Sequence, residues 1–122
     1  MSDFTFAPGT NEFTTNHFTA EAEALAEIAA MGWTPLVRDV VIPRDEALHW
    51  HDFESVTFVV SGTIRVADEH GEIVEVAAGT RVRSGPGFLH RELGGSAYRV
   101  VSGFRIKLDQ FTLPIDKPPP TK

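Results

Sequence analysis

There is no cysteine in this sequence, which excludes disulfides, zinc ribbons and thiol nucleophiles. Any metal site must therefore be built from His, Asp or Glu. Basic residues are also scarce: 11 Lys and Arg stand against 17 Asp and Glu, a formal charge of −6. That balance repels phosphate backbones and anionic lipid, so neither nucleic acid nor a membrane is an expected partner. No apolar run approaches the roughly 18 residues of a membrane span. The start, Met1-Ser2-Asp3-Phe4-Thr5, lacks the basic and apolar regions of a secretory signal. With the absence of cysteine, these features set the expectation of a cytoplasmic protein. The 122 residues are 42% hydrophobic, enough for one domain with one core.

Residues 1–33 read as an arm followed by a short helix. Phe4, Phe6, Phe13 and Phe18 argue against a purely disordered leader, and the arm is expected to pack on the body or on a second copy. Residues 20–31, rich in Ala, Glu and Leu, predict a helix with Thr19 as N-cap and Gly32 as its stop. From Trp33 onward the periodicity is that of strands, expected at 36–42, 47–51, 55–60, 63–66, 73–76, 80–83, 88–92 and 98–108. Gly62 reads as a turn, and Asp68-Glu69-His70-Gly71 as a tight hairpin. Short strands separated by glycine turns indicate an antiparallel sandwich or small barrel over residues 34–113. Residues 114–122 contain four prolines and cannot pair as a central strand.

The chemistry concentrates at Leu48-His49-Trp50-His51-Asp52-Phe53-Glu54-Ser55. Two histidines two residues apart on an extended segment project from one face, while Trp50 faces the other way. A third, His90, follows the Gly85-Pro86-Gly87 turn. A barrel can bring the two segments together, giving three imidazoles. His17 and His70 fall in the leader and at a hairpin tip, where structural or solvent-exposed roles are expected.

These two segments resemble the paired motifs of the cupins, whose fold is the double-stranded β-helix or jelly-roll barrel. The first motif, G-x5-H-x-H-x3/4-E-x6-G, is matched by Pro43…His49-Trp50-His51…Ser55…Gly62. The second, G-x5-P-x-G-x2-H-x3-N, is matched by Gly79…Gly85-Pro86-Gly87-Phe88-Leu89-His90…Gly94. The resemblance covers about 60% of the chain and implies an all-β jelly-roll barrel with one short N-terminal helix. It also implies a divalent metal on His49, His51 and His90, and a homodimer.

The main departure is Ser55, which stands where the family carries a glutamate ligand. Glu54 is one residue early and on strand alternation points away from the histidines, so it could ligate only across a bulge. Three neutral imidazoles leave the full +2 charge on the metal, which favours a small anionic, chelating substrate. The leading expectation is a dioxygenase-type oxidative cleavage with Fe2+. Zn2+, Ni2+ or Mn2+ would instead suit isomerisation or elimination, and a non-catalytic ligand-binding or sensor cupin is the main rival. No catalytic acid or base is assigned. Glu92 could orient a ligand or pair with an arginine. Phe53, Thr57, Arg83 and Phe88 are candidate pocket residues, and Tyr98 is a possible partner for a His–Tyr proton-transfer pair that its spacing does not support. Ordinary histidine titration predicts metal loss below about pH 6.

Overall fold

The structure, a computed structural model, describes residues 6–105 and 115–119. Its elements are β1 (Asn11–Thr14), α1 (Glu21–Ala30), β2 (Thr34–Ile42), β3 (Ser55–Asp68), β4 (Ile73–Ala77), β5 (Arg81–Ser84), β6 (His90–Glu92) and β7 (Ser96–Phe104). The strands pair antiparallel in the order β1-β5-β3-β7-β2, with β4 and β6 also joined to β3. The leader therefore packs on the body, through β1. The expected strand over 98–108 is seen as far as Phe104, and residues 106–114 lie outside the described residues.

β3 is the hub. Its first half pairs with β5 and β7, and its second half with β4, β6 and the start of β7. A strand that serves two layers must bend, and the bend is at Gly62. The register to β7 shifts between Val59 and Ser61, and Gly62 adopts φ +78. A Cβ there would stand 2.1 Å from the Ala97 carbonyl oxygen, so only glycine fits. Gly62 is thus a bend within one long strand rather than a turn between two. The expected strand over 47–51 shrinks to isolated bridges at His49 and Trp50. Its neighbouring residues pair with two different segments, so no continuous ladder forms.

At α1 the expected cap is displaced by one residue. The N-cap is Ala20, and the Glu23 carboxylate reaches back to accept hydrogen bonds from Thr19 Oγ1 (2.7 Å) and Ala20 N (3.1 Å). The carboxylate thus satisfies the N-cap N–H, the half of a capping box that an N3 glutamate supplies, while Glu23 N donates to Ala20 O at 3.0 Å. Gly32, at φ +78, ends the helix as expected.

Strand alternation gives the sheet two apolar faces. Val56 and Phe58 of β3 and Val101 of β7 pack outward against Phe18, Ala24 and Ile28. Gly103 admits Ile28, since a Cβ there would meet Ile28 Cγ2 at 2.7 Å. Arg99 clamps the helix to the sheet through Glu21 (2.7 Å), and Arg81 does so through Glu27 (2.7 Å). The opposite parity faces inward, where Ile42, Val59, Ile64, Val76, Val82, Tyr98 and Val100 form a second core. Burial of each large aliphatic side chain contributes about 1.5–3 kcal/mol. The inner core fills one part of the interior, and the remainder is a cavity of about 400 Å³. No helix among the described residues is long and apolar enough to cross a membrane.

Candidate metal centre

His49 and His90 meet because their backbones pair. His49 N donates to His90 O and His90 N to His49 O, both at 2.9 Å. A doubly bonded antiparallel pair puts both side chains on one face. His51, two residues on, shares that face. The three ring centroids lie 4.5–5.1 Å apart. One nitrogen from each ring falls within 4.8 Å of the other two, the only such donor group among the described residues.

The other ring nitrogens are occupied. His49 Nδ1 lies 2.7 Å from Ala47 O, His90 Nδ1 2.9 Å from Phe88 O, and His51 Nδ1 2.9 Å from Ile115 O. A carbonyl can only accept, so each Nδ1 carries the proton and each Nε2 keeps its lone pair. Burial holds the His51 imidazole below its ordinary pKa and brings His90 down to about 4, so both rings are neutral at pH 7. In this tautomer the three imidazoles can offer converging Nε2 lone pairs to a divalent ion, and the carbonyls supply the acceptors that orient metal-ligating histidines.

The rings are held from the sides as well. Phe53 stacks on His51 (5.0 Å between centroids) and Phe88 on His90 (5.6 Å). Both phenylalanines line the cavity, as do Ser55 and Thr57. Ser55 therefore faces the interior at the position where the family motif has its glutamate.

Three expectations are corrected. The Glu54 carboxylate accepts from Phe6 N (2.7 Å) and Arg105 Nη1 (3.0 Å) and is buried away from the histidines; the bulge that would redirect it occurs at Val59–Ser61 instead. Arg83 does not line the central cavity. Its guanidinium lies over the Phe6 ring and 3.9 Å from Glu12, because on β5 it is Val82 and Ser84 that face inward. Glu92 neither pairs with an arginine nor orients a histidine. Its carboxylate accepts the Tyr98 hydroxyl, and the histidine acceptors are all backbone carbonyls.

The cavity wall also contains residues not singled out from sequence. Arg38 and Glu46 line it beside Glu92 and Tyr98, and Glu46 Oε1 accepts from Glu92 N at 3.1 Å. Burial raises the pKa of the Glu92 carboxyl and, with Glu92 adjacent, of the Tyr98 phenol. Ser102 lines the same wall with a buried hydroxyl that has no partner among the described residues, a group available to a ligand. Strand parity groups Arg38 with Leu36 and Val40 on one face of β2 and Ser102 with Tyr98 and Val100 on one face of β7, but only the structure shows that these faces line the cavity. The approach of Ile115 and Asp116 to the cavity mouth had no local signal.

The chain superposes on the polyketide cyclase RemF from Streptomyces resistomycificus with a TM-score of 0.52 and 19% identity. It also superposes on a DUF861 family protein from Thermotoga maritima with a TM-score of 0.52 and 17% identity. The fold is that of the cupins. The match to the cyclase covers 62% of this chain and 56% of that one, so it spans little more than half of the cyclase. The match to the DUF861 protein covers 78% of this chain and 99% of the other. No protein-family model matches the sequence, and no curated protein matches it. In this cupin barrel the three histidines stand where both motifs put them, at the wall of the interior cavity.

Proposed function

We propose that this cupin is a metal-dependent enzyme acting on a small anionic organic molecule, with His49, His51 and His90 as the metal ligands. The observation that carries the reading is the set of three Nε2 lone pairs, each fixed by a carbonyl on Nδ1, beside a cavity of about 400 Å³. A divalent ion held by His49, His51 and His90 would supply Lewis-acid or, if ferrous, redox chemistry toward a chelating anion. The chain's own residues do the rest. Arg38 offers a cation to the substrate's charge, Ser102 a hydroxyl, and the valine-rich wall excludes water from the apolar part. The leading reaction is a dioxygenase-type oxidative cleavage with Fe2+.

A second reading, isomerisation or elimination by proton transfer, is favoured by the Glu92–Tyr98 pair in the same wall. There the hydroxyl-to-carboxylate bond provides a path along which a proton can move to or from a bound enolate. The RemF likeness agrees with this class in chemistry only so far as a cyclase is not an oxygenase.

The test is metal analysis of protein purified without chelator, alongside His51→Ala and His90→Ala. The expected outcome is one divalent ion per chain in the wild type and its loss in both variants. Equal metal content in all three proteins would remove the ligand assignment. Oxygen consumption by the ferrous form with a panel of catechols, enols and 2-oxo acids then separates the two reactions. Uptake supports cleavage, whereas turnover of an enolisable substrate that Tyr98→Phe slows supports proton transfer.

A further inference from the structure

Much of the cavity wall is apolar, yet one patch of it is lined by uncharged oxygens. Thr57 of β3 pairs directly with Ser102 of β7, and Ser55, two residues earlier on β3, pairs with Ser84 of β5. Ser84 in turn faces Asn11 of β1, and its hydroxyl donates to the Asn11 side-chain oxygen. Side chains directly opposed across a strand pair have Cβ atoms about 4.5–5.5 Å apart, and Ser55 and Thr57 share a face. All of these residues line the cavity, and β1, β5, β3 and β7 are adjacent in that order. The strands therefore present one continuous polar patch. It is tied to the histidine end of the cavity, since Phe104, the β7 partner of Ser55, packs edge-on against Phe53, which stacks on His51.

The patch is unsatisfied at Ser102. That residue is 1% exposed, and its hydroxyl has no hydrogen-bond partner among the described residues. A buried hydroxyl that has given up water without gaining a protein partner lacks a bond that a ligand can supply. Packing does not require the oxygen. The neighbours of Ser102 on its own face of β7 are Val100 and Phe104, and its partner on β2 is Leu36, among which an alanine methyl group would cost no desolvation. The patch also carries no charge. Arg38 and Glu92 stand at other levels of the wall, opposite Val100 and Val66. Hydroxyls both donate and accept, so the patch complements a hydroxyl, whereas a second carboxylate would find no cation in it.

From this geometry, and resting on the three-histidine reading above, we infer that Ser102 and Thr57 form a subsite for a hydroxyl group of the substrate, remote from the end that chelates the metal. The substrate class narrows from small organic anions to hydroxylated ones. One end lies on the metal, an apolar body lies against the valines of the wall, and a hydroxyl reaches Ser102. Ser55 belongs to the same patch. Where the family motif has a charged glutamate, this wall holds a neutral hydroxyl.

The experiment titrates Co2+-loaded full-length protein with benzohydroxamates, chelators whose binding is read from the visible Co2+ spectrum. The probes carry a hydroxyl, a methyl or a carboxylate at the meta or para position of the ring. Wild type is expected to bind one hydroxyl isomer about 5- to 10-fold more tightly than its methyl counterpart. Ser102→Ala is expected to abolish that preference and the isosteric Thr57→Val to reduce it. The thermal midpoint of Ser102→Ala is expected not to fall, because no protein hydrogen bond is lost. Equal binding of hydroxyl and methyl probes by wild type, tightest binding of a carboxylate probe, or an undiminished preference in Ser102→Ala would overturn the subsite while leaving the histidines intact. A clear fall in the midpoint of Ser102→Ala would do the same by revealing a structural role. Wild type that takes up no Co2+, or His51→Ala that binds it as tightly as wild type, would overturn the three-histidine reading and this one with it.

Discussion

His49 and His90 are held differently from His51. Each of the first two gives its Nδ1 proton to a carbonyl two residues earlier in its own segment, and the segments are locked by a mutual backbone pair. That half of the centre is built into the barrel wall. His51 gives its proton to Ile115, 64 residues away, in a segment that reaches the barrel through Trp50, Pro118 and Lys117. The centre therefore joins a rigid half, whose cost of ordering is met when the barrel folds, to a half that depends on a long-range docking contact. Contacts of the second kind open at lower free energy than core strands.

The contrast can be broken at its strong side first. His90→Ala removes a ligand while keeping the backbone pair with His49, and is expected to lower metal affinity by well over 100-fold, beyond the loss typical of orienting groups. Chelator competition reads it directly. A smaller loss from His90→Ala than from His51→Ala would reverse the ranking of the two halves.

The next largest effect is on stability against pH in the metal-free protein. Burial lowers His90 to about 4, whereas an unfolded histidine titrates near 6.5. Between those values the unfolded chain binds a proton that the folded chain does not, so stability falls as pH drops through the window and levels off below it. For His90 the loss is roughly 2–3 kcal/mol, allowing for its partial exposure. His51, also lowered by burial, adds in the same direction. Urea midpoints from pH 8 to 4 measure this, and His90→Gln is expected to flatten the curve. The same shift moves proton competition for the metal below the pH of about 6 that ordinary histidines would give.

The smallest effect is at the docking contact. Trp50→Phe keeps the ring but deletes the bond to Pro118 O, worth about 1 kcal/mol. Metal affinity is expected to fall by up to about fivefold with the thermal midpoint of the barrel nearly unchanged. If affinity and midpoint fall together, the segment is part of the core and the two halves are not distinct.

The parts of this protein written in local pattern were legible without coordinates. Alternation in β2, β4 and β7, the helix ended by Gly32, the hairpin at Asp68–Gly71 and the three histidines all follow from residues close in sequence. Their physical causes, strand parity and glycine's access to positive φ, act within a few residues. Even the side of the strand that Glu54 would take could be read that way, and its partner Arg105 lies across the sheet as parity requires.

Other features depend on what arrives from elsewhere. Gly62 looked like a turn because nothing nearby reveals that Ala97 will lie against it. The short segment around His49 looked like a strand because its divided partners, His90 and Lys117, are distant in the chain. Arg83 was placed at the pocket and Arg38 was passed over because a strand's periodicity defines two faces without saying which is inside. The sequence by itself determined which imidazoles could gather and that no glutamate stands at position 55. Only the tertiary structure decided that the Ile115 carbonyl would fix one of them, because that contact depends on a backbone docking between residues 50 and 117, which no local periodicity encodes.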